Sequence, residues 1–309
     1  MKIDFGDVLG RMWKIGWNHK VLWLWQMLPG LFAVVVMPFM FLANPGFAML
    51  LPEPYNRFAN EPWVIFAFLG ITLILTIPIM FMGVIAQLTT TYGALKAEKG
   101  AEKLTFRGLF SESLPYFWRV MGLYAIFVGG WMLIVFAVMA FTTFGSMITL
   151  GLASICMMPF FLLLIPVVIV GYSVLELAQA AIIADDMGTM EAISHGWKLF
   201  RANVIGVIVL MMILYFALSI LSSMFVFPMM LPMMFIPLGM ESQGNFNNLM
   251  LVFFFVLFPV MILFMYVVQG ILMAFFQSAW AVAYLRLNST ENAPIVVVEE
   301  NLQTDLPRD

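Results

Sequence analysis

The chain is divided by long stretches in which no charged residue occurs. Residues 21–52, 62–95, 120–175, 202–240 and 242–285 contain no Asp, Glu, Lys or Arg. A water-soluble domain cannot hide such stretches, because its own surface needs polar cover. Lipid as the solvent removes the difficulty, since a helix needs about 20 apolar residues to cross roughly 30 Å of hydrocarbon. Composition agrees: hydrophobic residues are 63% and charged residues 10% of the chain, against roughly 45–50% and 25% in soluble domains. The sequence therefore specifies an all-α polytopic membrane protein.

The run 120–175 is too long for one crossing, and Thr142, Thr143, Gly145 and Ser146 make its middle polar. Dividing it there gives six expected transmembrane helices, at about 21–43, 63–88, 120–141, 158–181, 204–227 and 251–275. The apolar stretch 147–157 is left over; it either extends the fourth span or lies in the outer interface. No charge stops the sixth span before Arg286. Residues 1–286 then form a single membrane domain, and 287–309 a polar cytoplasmic tail with a short β-prone run at 295–298.

Thirteen of the 14 basic residues fall on one side of these spans: Lys2, Arg11, Lys14 and Lys20; Lys96, Lys99, Lys103, Arg107 and Arg119; Lys198 and Arg201; Arg286 and Arg308. The opposite connections hold only Arg57. Basic residues are retained in the cytoplasm, so both termini are expected there. The first apolar stretch is longer than a signal-peptide core and has no small-residue cleavage site after it, so it is expected to remain as a span. A bacterial plasma (inner) membrane is the expected location.

Three segments that precede spans one, three and five are amphipathic. In the first, Phe5, Val8, Leu9, Met12 and Trp13 recur at helical spacing opposite Asp4, Asp7, Arg11 and Lys14. The second holds Phe106, Leu109, Phe110 and Leu114; the third holds Met190, Ile193, Trp197 and Phe200. Such helices lie in the membrane interface with their aromatic side in lipid. Trp13, Trp17, Trp118 and Trp197 are the expected interfacial anchors. Phe5 and Phe106, like Trp17 and Trp118, are offset by 101 residues, and Trp13–Trp197 and Lys14–Lys198 by 184. These offsets suggest a unit used three times, an interfacial helix followed by a transmembrane hairpin. The competing explanation is that every cytoplasmic linker of such a protein is amphipathic.

The stretch 184–204, with Asp185, Asp186, Glu191, Ala192, Gly196, Trp197, Lys198, Arg201 and Asn203, resembles a segment of bacterial six-helix proteins related to the membrane domain of glycerophosphodiester phosphodiesterases. The opening and closing segments, DFGDVLGRMWKIGWNHKVLWLW and SAWAVAYLRL, are similar in style. The catalytic barrel of the fused relatives has no counterpart here. The resemblance implies a membrane module without that chemistry.

Catalytic and metal sites need several His, Cys or acidic residues at matched spacing. The chain has one cysteine, Cys156, and two histidines, His19 and His195. No HExxH, phosphate-loop or GxSxG pattern occurs. No catalytic residue, metal ligand, cofactor or nucleic-acid partner is therefore expected, and enzymatic activity is not. Asp185 and Asp186 read as charges at a helix N-terminus, where they are favourable, or as a headgroup or divalent-ion contact.

Glu176 is the one ionisable residue a span is expected to contain, with Tyr172 on its helical stripe and Gln179 adjacent. It reads as an interfacial carboxylate, as a helix–helix hydrogen bond, or as a coupling site for a proton or substrate. Gly270, Ala274 and Ser278 recur every four residues and form a candidate helix-packing stripe, with Gln269 and Gln277 nearby as amides that can bond across the contact. Pro78, Pro166 and Pro259 are candidate kinks. The methionine-rich stretch with Met229, Met230, Met233 and Met234 is expected as an outer loop.

Two functions compete on these grounds. One is a non-catalytic accessory, scaffolding or assembly module whose partners are the lipid bilayer and either other membrane proteins or a second copy. The alternative is a transporter or lipid-handling protein with a largely apolar pathway.

Overall fold

The computed structural model describes residues 4–42, 61–149, 151–239 and 257–291. Nine α-helices run through them: α1 Phe5–Asn18, α2 Val21–Leu42, α3 Pro62–Glu98, α4 Phe106–Ser113, α5 Phe117–Ile148, α6 Leu152–Ala184, α7 Thr189–Ala202, α8 Val204–Gly239 and α9 Phe258–Glu291. A single 3₁₀ turn, Leu114–Tyr116, joins α4 to α5. In lipid every backbone polar group must find its partner within the chain, which a helix achieves alone. The protein is an all-α, multi-pass membrane protein. Helices α3, α5, α6, α8 and α9 are each long and apolar enough to cross a bilayer, and α1 with α2 forms a sixth candidate bent by 77°. The 22 residues of α2 alone reach about 33 Å at 1.5 Å per residue.

The helices overrun the expected spans at several ends; α3, expected to stop near 88, runs on to Glu98, and α6 covers 152–184 in place of 158–181. Helix α5 continues through Thr142, Thr143, Gly145 and Ser146 to Ile148. The Thr142 hydroxyl donates to the Val138 carbonyl at 2.8 Å and Thr149 to Gly145 at 2.7 Å. Hydroxyls satisfied by their own helix do not break it. The chain turns instead at Gly151, whose φ of 94° is open to glycine without strain. The stretch 147–157 is therefore shared between the end of α5 and the start of α6.

Residues 228–239, expected as a loop, continue α8 as helix, because an uncharged run in lipid satisfies its backbone best that way. Helix α9 continues five residues past Arg286, to Glu291, and Leu287 is buried against the bundle. The polar tail thus starts later than residue 287. The β-prone run at 295–298, and the first part of the sixth expected span, lie outside the described residues. Pro78 and Pro166 lie inside α3 and α6. Pro259 is in the first turn of α9, where its missing N–H needs no partner.

The packing pattern has a three-fold rule. The second long helix of each unit, α3, α6 and α9, touches the other two. The first long helix of each unit packs on its own partner and on the second helix of the preceding unit: α2 on α3 and α9, α5 on α6 and α3, α8 on α9 and α6. The interfacial helices follow suit, with α1 on α9, α4 on α3 and α7 on α6. Val8, Leu109 and Ala192 are related by the offsets 101 and 184, and all three are buried. The repeat is thus structural, and the shared burial position fixes its register.

The core sits toward the charged end of the bundle. Residues 173–183 of α6 and 274–284 of α9 are buried without exception. Toward the opposite end the helices are far less covered by one another. Residues 128–134 of α5 are exposed in succession, which takes in every face of a helix, and Phe66 and Leu73 of α3 are 73% and 70% exposed.

Candidate functional site

A chain of polar side chains crosses the buried end of the bundle. Glu176, Gln179 and Gln277 are at most 1% exposed, as is Thr91. Helical geometry sets their depth: Glu176 is eight residues before the end of α6, about 12 Å, and Gln277 is nine residues before Arg286, about 13 Å. The Tyr124 hydroxyl of α5 donates to Gln179 Oε1 at 2.7 Å and also meets Gln87 Oε1. One hydroxyl has one proton, so it serves these two acceptors in alternation. Gln179 Nε2 donates to Thr91 Oγ1 at 2.8 Å, and Thr91 Oγ1 donates to Gln277 Oε1 at 2.9 Å. Gln277 Nε2 donates to Glu176 Oε1 at 3.1 Å. The Tyr172 hydroxyl completes the set at the same carboxyl.

Of the sequence candidates, Tyr172, Glu176 and Gln179 are brought together, and Glu176 makes a helix–helix hydrogen bond. Gln87, Thr91 and Tyr124 are members that the sequence did not single out, and Gln277, expected as an amide of the packing stripe, joins this chain instead. Two signals were available. Thr89, Thr90, Thr91 and Tyr92 interrupt an apolar run, and each unit has one glutamine in the inner part of its second long helix: Gln87, Gln179 and Gln277. Not all the buried hydroxyls join the chain. Thr90, Ser173 and Ser278 donate to carbonyls four residues back on their own helices.

The packing stripe is a separate feature. Ala274 and Ser278 are fully buried, and a Cβ added at Gly270 would lie 3.0 Å from the Met27 backbone nitrogen. Here α9 meets α2 at close range.

Nearer the charged end, ion pairs tie the units together. Arg286 reaches Asp7 at 2.8 Å and Glu98 at 3.2 Å, and Arg11 lies within 4.0 Å of both carboxylates. Lys96 pairs with Glu112. Lys96 and Tyr92 donate hydrogen bonds to Glu112 and hold its carboxyl below the ordinary carboxylate range, so this tie weakens only as pH falls through that lowered value. Asp185 accepts from Tyr284 and from Asn288 Nδ2. Asp186 adopts a left-handed φ of 54°, and Arg119 Nη1 holds it through its carbonyl at 3.0 Å and its carboxylate at 2.6 Å. The acidic pair therefore locks the α6–α7 turn to α5 and α9, and Gly188 takes the N-cap position of α7.

No family model, curated protein or solved structure matches this chain. A directional line of amides and hydroxyls ending on one carboxyl fixes the mutual rotation of α3, α5, α6 and α9. Burial at His19, which sits between α1 and α2, favours the neutral imidazole. His195 Nε2 is buried without a hydrogen-bond partner. Among the described residues no three His, Cys, Asp or Glu side chains gather as metal ligands would.

Proposed function

We propose that the protein is a non-catalytic accessory or assembly module of a bacterial plasma membrane, working through the surfaces its helices offer to lipid and to other membrane proteins. The observation that carries this reading is the division of the bundle into a locked end and an uncovered apolar end. The buried Glu176 carboxyl is engaged by Gln277 and so is not left free to couple to a substrate. Residues 128–134 of α5, by contrast, offer apolar surface all round the helix. The resemblance at 184–204 to membrane modules without a catalytic barrel points the same way.

The test is purification in mild detergent with identification of the proteins and lipids retained, followed by reconstitution of the purified chain in liposomes. Specific retention of a membrane partner supports the reading. Saturable movement of a solute or lipid by the protein alone overturns it in favour of a lipid-handling protein, a reading that the same uncovered outer halves favour.

Both termini belong in the cytoplasm on this proposal, from the 13-to-1 distribution of Lys and Arg. Reporter fusions near Lys99, near Lys198 and after Arg286 are expected to report a cytoplasmic position. Fusions near Arg57 and Glu241 are expected outside. A C-terminal reporter on the outer side overturns the orientation.

A further inference from the structure

On the interfacial helices two of the three acids are ion-paired, while of the bases only Arg11 is. Asp7 and Glu112 are ion-paired, leaving Glu191 as the one acid on α1, α4 and α7 without an ion pair. On the same helices Lys14, Arg107, Lys198 and Arg201 are exposed and form no ion pair among the described residues, and Lys20 at the α1–α2 elbow lies 6.0 Å from the Trp23 ring. Two of these cations directly follow, in the sequence, an exposed tryptophan that is already held in place. Trp13 stacks on Phe275 at 5.4 Å and meets Trp17 edge-on at 5.6 Å; Trp197 stacks on Phe200 at 5.7 Å.

The dyads Trp13–Lys14 and Trp197–Lys198 occupy the same register of the repeat, 184 residues apart. The second unit has Leu114 and Pro115 at that register, and its Arg119 is taken by Asp186. The helices that present the dyads are docked on the buried end of the bundle, α1 on α9 and α7 on α6.

We propose that Trp13–Lys14 and Trp197–Lys198 are two equivalent sites for anionic phospholipid headgroups in the leaflet at the basic end of the protein. The indole ring anchors each helix at headgroup depth, and the lysine that follows it on the polar side of the helix is long enough to reach the lipid phosphate. Because the rings are fixed by stacking before any lipid arrives, little ordering remains to be done on binding. The bilayer supplies the occupant, and the surplus of unpaired cations selects the anionic one.

The test uses the full chain in mixed micelles, titrated with brominated phosphatidylglycerol or brominated phosphatidylcholine while tryptophan fluorescence is read. The native protein is expected to prefer phosphatidylglycerol at low salt and to lose that preference as salt rises. One basic residue at an anionic surface is worth about five-fold in affinity, so K14Q/K198Q is expected to lose roughly five-fold of the preference at each of the two sites. The variant K99Q/K103Q removes two exposed cations from the α3–α4 turn, neither of them next to a tryptophan in the sequence, and is expected to retain the preference. Unchanged helicity and thermal midpoint in phosphatidylcholine show that each variant is folded. Equal quenching by the two lipids overturns the proposal. So does a preference that survives K14Q/K198Q, or one that falls equally in K99Q/K103Q, which would mean that total charge acts and not the dyads.

Discussion

Replacing Gln277 by leucine is expected to destabilise the bundle more than any other single change to a polar side chain, by about 2–4 kcal/mol. Gln277 is the one side chain that both donates to Glu176 and accepts from Thr91. Its loss therefore cuts the chain in the middle and strips a partner from each neighbour. Interhelical hydrogen bonds in membranes average about 0.6 kcal/mol and reach about 2, while a buried polar group left without a partner costs about 1–3 kcal/mol. The change is read as the shift in an SDS-unfolding transition of the purified protein.

Gln269 provides the internal comparison. It lies two turns earlier on α9, is exposed, and accepts from Ser222 at 3.3 Å; Gln269→Leu is expected to stay within about 0.5 kcal/mol of the native protein. Glu176→Gln keeps an acceptor for both Gln277 and Tyr172 and is expected to fold normally, whereas Glu176→Leu is not. A double-mutant cycle of Thr91→Val with Gln277→Leu is expected to show coupling above 0.5 kcal/mol. Additive losses, or equal costs at 269 and 277, would sink the idea that the network locks the helices.

The uncharged runs made the helices legible, because lipid leaves a backbone few alternatives. The amphipathic segments were legible for a related reason: their apolar stripes recur at 3.6-residue spacing, and α1, α4 and α7 are found where that spacing put them. Helix ends were less visible. A Thr or Ser inside a hydrophobic stretch looks like a break, yet Thr142 is satisfied by its own helix. The contrast between two kinds of polar residue was invisible for the same reason. Thr90 and Thr91 are neighbours in sequence, but helical rotation turns one back to Ala86 and the other across to Gln277. Only packing distinguishes them. Glu176 stood out because it is charged, and Tyr172 and Gln179 because they lie near it on one helix; Gln87, Thr91 and Tyr124 on other helices did not, although the glutamine at corresponding depth in each unit carried the signal.

The second large effect is expected at Gly196, where bulk would drive α7 off α6. A Cβ built there would lie 3.0 Å from the Ala178 backbone nitrogen and 3.2 Å from the Val174 carbonyl oxygen. Backbone in the middle of a buried helix cannot step aside, and overpacking of this kind costs about 1–3 kcal/mol for a small insertion. Gly196→Ala is expected in that range, and Gly196→Leu beyond it. At Gly16 the obstacle is the Phe275 ring, 2.2 Å from the added atom, and a ring can swing. Nothing lies within 4 Å at Gly10, so Gly10→Leu is expected to be tolerated. Gly270→Leu meets the Met27 backbone and belongs with Gly196→Leu.

The order 196 and 270, then 16, then 10 is checked by SDS midpoints of the purified variants. Limited proteolysis at Lys198 and Arg201 reports separately on whether α7 has left the bundle. Undocking also removes the support that holds Trp197 and Lys198 at the interface, so Gly196→Leu is expected to reduce anionic-lipid quenching at that unit while leaving Trp13 and Lys14 responsive. If α7 stays protected in Gly196→Leu with an unchanged midpoint, the close approach of α7 to α6 is not what holds that helix in place.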